Sequence, residues 1–373
     1  MRATFWLATA LVAYAYFGYA IWLWILSRVR PWPLRRGPFQ PSVSVVMVVH
    51  DEEKTLPRKL QNLALLDYPS ARVELIVVSD GSSDSTAQIL AQTAKNDRCR
   101  ALIFEDRMGK AMRLNDALAV ATGEIVLFVD ARQEIELDAL RLLMENFVEE
   151  SVGCASGELM LGDSASGEAG IGMGVYWQVE KKIRQWESAS GSVVGATGAL
   201  YALRRSLLVP VPADTILDDV FLPLHVARQG ARVIFDDRAR AWDSPDLGTK
   251  REFRRKVRTL TGNYQLLQIA PWVLSAKNPL RFRFVSHKLL RLIVPFALVA
   301  MLVSSVGASG TFYRVAFLGQ LFFYAFALLT FSGVQDGVVA RMANAVLTLI
   351  VLNTAAVVAC AKFFTGRKEV WIR

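Results

Sequence analysis

Three apolar, β-branched runs in the first third of the chain each stop at a cluster of acids and hydroxyls. Ser42–Val49 stops at His50-Asp51-Glu52-Glu53, Val73–Val78 at Ser79-Asp80-Gly81-Ser82-Ser83-Asp84, and Ile125–Val129 at Asp130-Ala131-Arg132. Such runs read as buried strands. A carboxylate at the tip of a buried strand is costly unless a ligand or cation uses it, which singles out Asp80 and Asp130. Ser83, Asp84 and Ser85 have the residue types of a turn and helix cap, and that is their simpler reading. No Gly-x-Gly-x-x-Gly follows the first strand and no Gly-x-x-x-x-Gly-Lys-Ser/Thr occurs, so neither the usual dinucleotide fold nor a P-loop is signalled. What remains is a site that grips a nucleoside diphosphate with a carboxylate-held cation, a lysine and loop amides.

The elements needed to hold these acids together can be read from the same stretch. Helical spacing over Leu56–Leu66, Asp84–Ala94 and Lys110–Ala121 alternates with the strands above and with a further strand at Ala101–Phe104. Strands alternating with helices predict an α/β fold with a mainly parallel sheet covered on both faces. In such a sheet the tips converge on one edge, where ligands bind.

These residues resemble glycosyltransferase family 2, the GT-A-fold group that includes cellulose, chitin, hyaluronan and poly-N-acetylglucosamine synthases. Ser44–Glu53 is similar to the family's opening strand and Asn-Glu turn, with Asp51 in place of Asn, and implies that Glu52 lies at the nucleotide. Ile76–Thr86 looks like Val-Val-Asp-Asp-Gly-Ser-x-Asp, by which match Asp80 contacts uracil. Gly109–Asn115 is similar to Gly-Lys-Ala-x-Ala-Leu-Asn, whose lysine, here Lys110, reaches the donor. The family's Asp-x-Asp, which holds a divalent cation against the diphosphate, reads Asp130-Ala131-Arg132 here. The resemblance therefore makes Asp130 the metal ligand for Mg²⁺ or Mn²⁺, while Arg132 is a fixed charge able to neutralise phosphate but not to ligate metal. Glu134 or Glu136 could supply the missing carboxylate, though acids there suit the start of the next helix better.

Further on, Gly195–Arg205 resembles the Gly-rich acceptor-side segment, which brings in Thr197 and Gly198, and is equally a tight turn into a strand. Thr215–Phe221 is similar to Thr-x-x-Glu-Asp, whose final Asp is the catalytic base. Asp219 takes that role, and Asp218 stands where the family has Glu. Arg255 and Arg258 match the Arg-x-x-Arg of processive members, with Thr259 where they have Trp.

Membrane segments bracket this domain. No charge interrupts Ala3–Leu26, long enough to cross a ~30 Å hydrocarbon core. Arg28, Arg30, Arg35 and Arg36 follow it, which places the amino terminus outside and the next residues in the cytosol. Leu289–Val306, Phe312–Phe331 and Val338–Ala361 are three more apolar stretches, the first of which, with Pro295 inside and basic residues before it, is also a candidate re-entrant piece. The expected order is a membrane helix at 1–27, a basic Pro-rich linker at 28–41, the catalytic domain at 42–270, an interfacial segment at 271–288, two or three membrane helices at 289–361 and a basic tail at 362–373.

The chain carries a formal charge of +9, and its cations cluster beside the apolar segments, so the surplus is read as facing lipid rather than nucleic acid. Its three cysteines are odd in number and widely spaced, which excludes a disulfide framework or cysteine metal cluster. The resulting expectation is an inner-membrane enzyme of bacterial type with a cytosolic catalytic domain. It would move a sugar from a UDP-sugar to a lipid-linked or membrane-proximal glycan with inversion, in exopolysaccharide or envelope synthesis. A processive polysaccharide synthase and an inactive scaffold are the alternatives.

Overall fold

The computed structural model describes residues 1–94, 99–162, 175–243, 249–331 and 337–366. The tail cations Arg367, Lys368 and Arg373, and most of the break at 332–337, lie outside them. Among the described residues there are eight strands: β1 (Val43–Val49), β2 (Val73–Asp80), β3 (Cys99–Phe104), β4 (Ile125–Val129), β5 (Glu134–Ile135), β6 (Val152–Leu161), β7 (Leu200–Arg204) and β8 (Arg232–Asp243). They form one sheet in the order β3-β2-β1-β4-β7-β6-β8-β5.

The first four strands pair in parallel, β1 lying between β2 and β4. Each is followed by a helix or turn that covers the sheet, so both faces are buried. Val46, Ile76, Val78 and Phe128 pack into one apolar cluster, while Val45, Met47, Val77 and Val129 pack into the other. Burial on both sides is why these strands read as continuous apolar runs instead of alternating ones. The sheet then turns mixed, because β7 enters antiparallel to β4 with Leu200 opposite Val129. The chain entering β7 therefore arrives at the edge where β4 leaves, and brings Gly195–Ala199 to Asp130.

Glu134 and Glu136 do not start a helix. Glu134 pairs with Trp242 in the two-stranded edge β5–β8, and Glu136 accepts a hydrogen bond from the Trp242 indole at 2.8 Å. The strand is held open by Asn62, whose amide donates to the Ile135 carbonyl and accepts from its N–H, much as a neighbouring strand would. The helix begins only at Ala139.

Among the described residues, four helices are long and apolar enough to cross a membrane: Arg2–Val29, Arg281–Gly307, Thr311–Thr330 and Val338–Phe364. The second runs unbroken through Leu289 and Pro295, so residues 281–288 join the apolar stretch in one 27-residue helix. The first helix packs along it, and the last packs on the amphipathic helix Thr249–Ile269. Two short π-helical turns lie within the pair, at Tyr14–Gly18 and Val285–Leu289. They face each other, with the Tyr14 hydroxyl 2.9 Å from that of Ser286.

Candidate active site

Lys110 joins three segments that the sequence keeps far apart. It stands at the first position of the helix Lys110–Val120, after Gly109, whose φ of +88° lets the chain turn sharply into it. Its ammonium donates to Asp130 Oδ1 at 3.0 Å and lies 3.5 Å from Asp218 Oδ1. Burial works against the charge, but these carboxylates outweigh it and hold the lysine above its ordinary range. Asp218 is buried and receives the Tyr201 hydroxyl at 3.1 Å, and the Tyr201 ring stacks on Phe128 of β4 at 4.5 Å. The Tyr201 hydroxyl and the Lys110 charge thus fix Asp218, the first residue of the helix Asp218–Arg228.

Asp219 is held differently. Its backbone carbonyl accepts from Ala196 N–H at 2.7 Å, which ties it to the Gly-rich loop, while no donor among the described residues bonds its side chain. A Cβ on Gly198 would stand 3.1 Å from Asp219 Oδ2, so glycine is what allows the loop to approach that carboxylate. Burial first, and then the neighbouring Asp218 charge, lift its pKa to about 6, with Lys110 and Lys288 pulling the other way. The loop is clamped from behind by Arg184 of the helix Val175–Ala189, which donates to Thr197 Oγ1 at 2.6 Å, to the Gly195 carbonyl and to Ser156 Oγ. Thr197 is therefore turned toward Arg184.

Asp80 lies buried at the tip of β2. Its Oδ1 accepts from Met108 N–H at 2.7 Å and Arg113 Nε at 3.1 Å, and its Oδ2 from Gly109 N–H at 2.8 Å. A carboxylate offers about four acceptor directions, so one on Oδ2 is left for a ligand N–H. His50 Nδ1 meets the Asp80 carbonyl at 2.7 Å. Asp51 adopts φ +53°, a conformation that Asn and Asp tolerate best, and accepts from Ser83 N–H. Glu52 turns its side chain to Thr55 and its N–H to Thr86. Asp84 caps its own helix, with Oδ1 accepting from Thr86 N–H.

Arg132 does not stand beside Asp130 as a second ligand would. It pairs with Asp243, a fully buried carboxylate at the end of β8, which also receives Arg255 at 3.2 Å. Arg258 lies one turn beyond Arg255 with its Nε buried and without a partner. Among the described residues no three His, Cys, Asp or Glu side chains gather closely enough to cage a metal ion. The residues present fit a cation only as one shared between Asp130 and the phosphates of a bound nucleotide, a mode in which one carboxylate suffices.

Two residues of this site go unread in the sequence. Arg113 lies under Asp80, stacked on the Phe104 ring at 3.7 Å and bonded also to Asp106 and Asp116. The signal was its place where the resembled motif has a small Ala. Arg184 carries no comparable mark, because its partners arrive from loops near residues 156 and 195.

A mixed sheet with its acids at the carboxyl tips, a lysine bridging two of them and a Gly-rich loop over a carboxylate is the arrangement of the GT-A class of folds. Within that class the chain carries a family 2 glycosyltransferase domain, residues 44–209 matching the model described as "Glycosyl transferase family 2". It is 24% identical over 260 residues to a poly-β-1,6-N-acetyl-D-glucosamine synthase of Staphylococcus epidermidis, an alignment taking in 65% of this chain and 63% of that protein. The Staphylococcus aureus counterpart is 23% identical over 229 residues, 60% of this chain and 55% of that one. The chain thus spans less than two thirds of the length of these curated relatives. A mannosyltransferase from Pyrobaculum calidifontis, solved with GDP-Man and Mn²⁺, shares the fold at a TM-score of 0.73 and 22% identity, over 98% of this chain and 99% of that one.

Proposed function

We propose that this glycosyltransferase moves a hexose from a UDP-sugar to a lipid-linked or membrane-proximal glycan acceptor, with inversion, from a domain facing the cytosol of an inner membrane of bacterial type. The observation that carries the reading is the Asp219 carboxylate, unbonded by any described side chain, beside the Lys110–Asp130 pair. Asp219 takes the proton of the acceptor hydroxyl as that oxygen bonds to the anomeric carbon. The bond from that carbon to the β-phosphate oxygen breaks on the opposite face, and UDP leaves. Lys110 neutralises charge growing on the diphosphate, Arg255 and Arg258 approach it from their helix, and Asp80 offers its remaining lone pair to uracil. A Mg²⁺ or Mn²⁺ ion on Asp130 would add a Lewis acid to the same phosphates.

The test is release of nucleoside diphosphate by the full chain from a panel of UDP-sugars, with GDP-mannose included because the structural neighbour binds it, each with and without Mn²⁺ or Mg²⁺. No turnover of any donor with an intact fold would leave the inactive scaffold as the better reading. Processive synthesis has the curated relatives' name behind it. Thr259, exposed where processive members carry Trp, favours single additions, and sizing the product separates a ladder from one added sugar.

A further inference from the structure

The Gly-rich loop lies directly on the proposed base. Ala196 N–H donates to the Asp219 carbonyl at 2.7 Å, a Cβ on Gly195 would stand 3.3 Å from that same oxygen, and one on Gly198 would stand 3.1 Å from Asp219 Oδ2. No donor among the described residues bonds the Asp219 side chain, so the space bordered by this loop is where an acceptor hydroxyl can meet it. The height of the loop sets that space.

Arg184 holds the loop at two points. Its Nη1 donates to Thr197 Oγ1 at 2.6 Å, and its Nη2 to the Gly195 carbonyl and to Ser156 Oγ, both at 3.1 Å. Ser156 Oγ in turn accepts from Thr197 N–H at 2.9 Å, and the guanidinium lies over the Phe235 ring at 4.7 Å. A planar fork can serve two residues at once, which a single ammonium cannot. Glu180 and Glu187 stand at i−4 and i+3 to Arg184, the spacing at which helices pair opposite charges. Both instead meet His287, at 2.7 and 2.9 Å, and among the described residues no ion pair draws Arg184 from the loop. The end of its helix is fixed from the membrane side, where Arg283 donates to the Glu187 and Ser192 carbonyls at 2.6 and 2.9 Å.

We propose that Arg184 is a positioning residue for the transfer step. Carried on a helix tied to the apolar helix Arg281–Gly307, it fixes the loop over Asp219 and so the place where the acceptor hydroxyl meets the base. The role rests on the reading of Asp219 given above. It also gives Thr197 a different task from the acceptor contact expected of it, since its hydroxyl oxygen serves Arg184. A misplacement of about 1 Å at a reacting group can cost roughly 10² in rate, so loosening this grip should appear in turnover and not in nucleotide binding.

The full chain in nanodiscs of bacterial total lipid extract tests it, with UDP release from the panel of UDP-sugars and UDP affinity by calorimetry on the same samples. Arg184→Met and Arg184→Lys should each lower kcat at least tenfold with UDP affinity within twofold of wild type. Thr197→Val, which matches threonine in shape but offers no oxygen, should lower kcat at least threefold, while Thr197→Ser should stay within twofold. Arg184→Met combined with Thr197→Val should be no slower than Arg184→Met alone, because both cut the same bond. Lys182→Met, at an exposed position of the same helix, should change nothing. If Arg184→Met does not fold, the Thr197 pair decides. Losses that multiply in the double variant would put the Thr197 hydroxyl on substrate, and UDP affinity falling in step with kcat would mean general damage, each overturning the proposal. Full turnover by Arg184→Met beside an active wild type sinks this role alone, whereas a wild type that releases no UDP sinks the transferase reading and this role with it.

Discussion

Asp218 and Asp219 are neighbours in sequence with opposite surroundings. The first is pinned by Tyr201 and Lys110, and the second has its carboxylate left over for substrate. A base must be deprotonated to work, and Asp219 is the one lifted to about 6. Below that pH Asp219 is protonated and cannot accept another proton, so kcat/KM should climb through about pH 6 and level off above it. Asp219→Asn should abolish the climb and lower kcat by roughly 10²–10⁴, the usual worth of a general base, with UDP binding kept. Normal turnover by that variant would remove Asp219 from the role. Gly198→Ala is a sharper probe of position, since its Cβ would press on Asp219 Oδ2 at 3.1 Å while its own backbone is not in the left-handed region. We expect kcat to fall at least tenfold with the melting temperature little changed, and a melting loss without a kcat loss would argue against it.

At the scale of elements, β1 to β4 and the helices between them were legible because each strand is an apolar run closed by a polar tip. The later elements were not. β6 carries Gly153, Ser156, Gly157 and Glu158, and β8 carries Asp236, Asp237, Arg238 and Arg240, so neither shows an uninterrupted run. Their polar residues are satisfied by long-range partners, such as Asn146 on Asp236 and Arg184 on Ser156, which no local pattern announces. The same limit hid Arg113, whose bond to Asp80 spans 33 positions. That bond ties the helix Lys110–Val120 to the tip of β2, and both side chains are about 95% buried. Arg113→Met would strand the Asp80 charge, at a cost of about 3 kcal/mol or more, seen as a fall in melting temperature of several degrees. Adding Asp80→Leu to it should recover part of that loss. A single variant that melts like wild type would mean the tether is slack.

For the whole molecule, the number of crossings decides which side of the membrane sees the donor. If all four apolar helices cross, Arg2 and Thr365 lie on one side and the catalytic domain, between the first and second, on the other. Arg28, Arg30, Arg35, Arg36, Arg281, Arg283, Lys288, Arg291 and Arg341 then flank the helices on the catalytic side. Arg2, Arg314 and Lys362 flank them on the far side. The positive-inside bias therefore favours a cytosolic catalytic domain. The arrangement is open to direct measurement. Reporter fusions after Thr365 that are active only outside the cytosol should be active, and a thiol introduced at exposed Asp67 should react only with reagents that enter the cell. A cytosolic reporter at Thr365 with a cytosolic thiol at Asp67 would mean that one of the three later helices turns back. The helix Arg281–Gly307 would then be the first to examine, because its opening turns carry Arg283 and His287 bonded into the catalytic domain rather than into lipid.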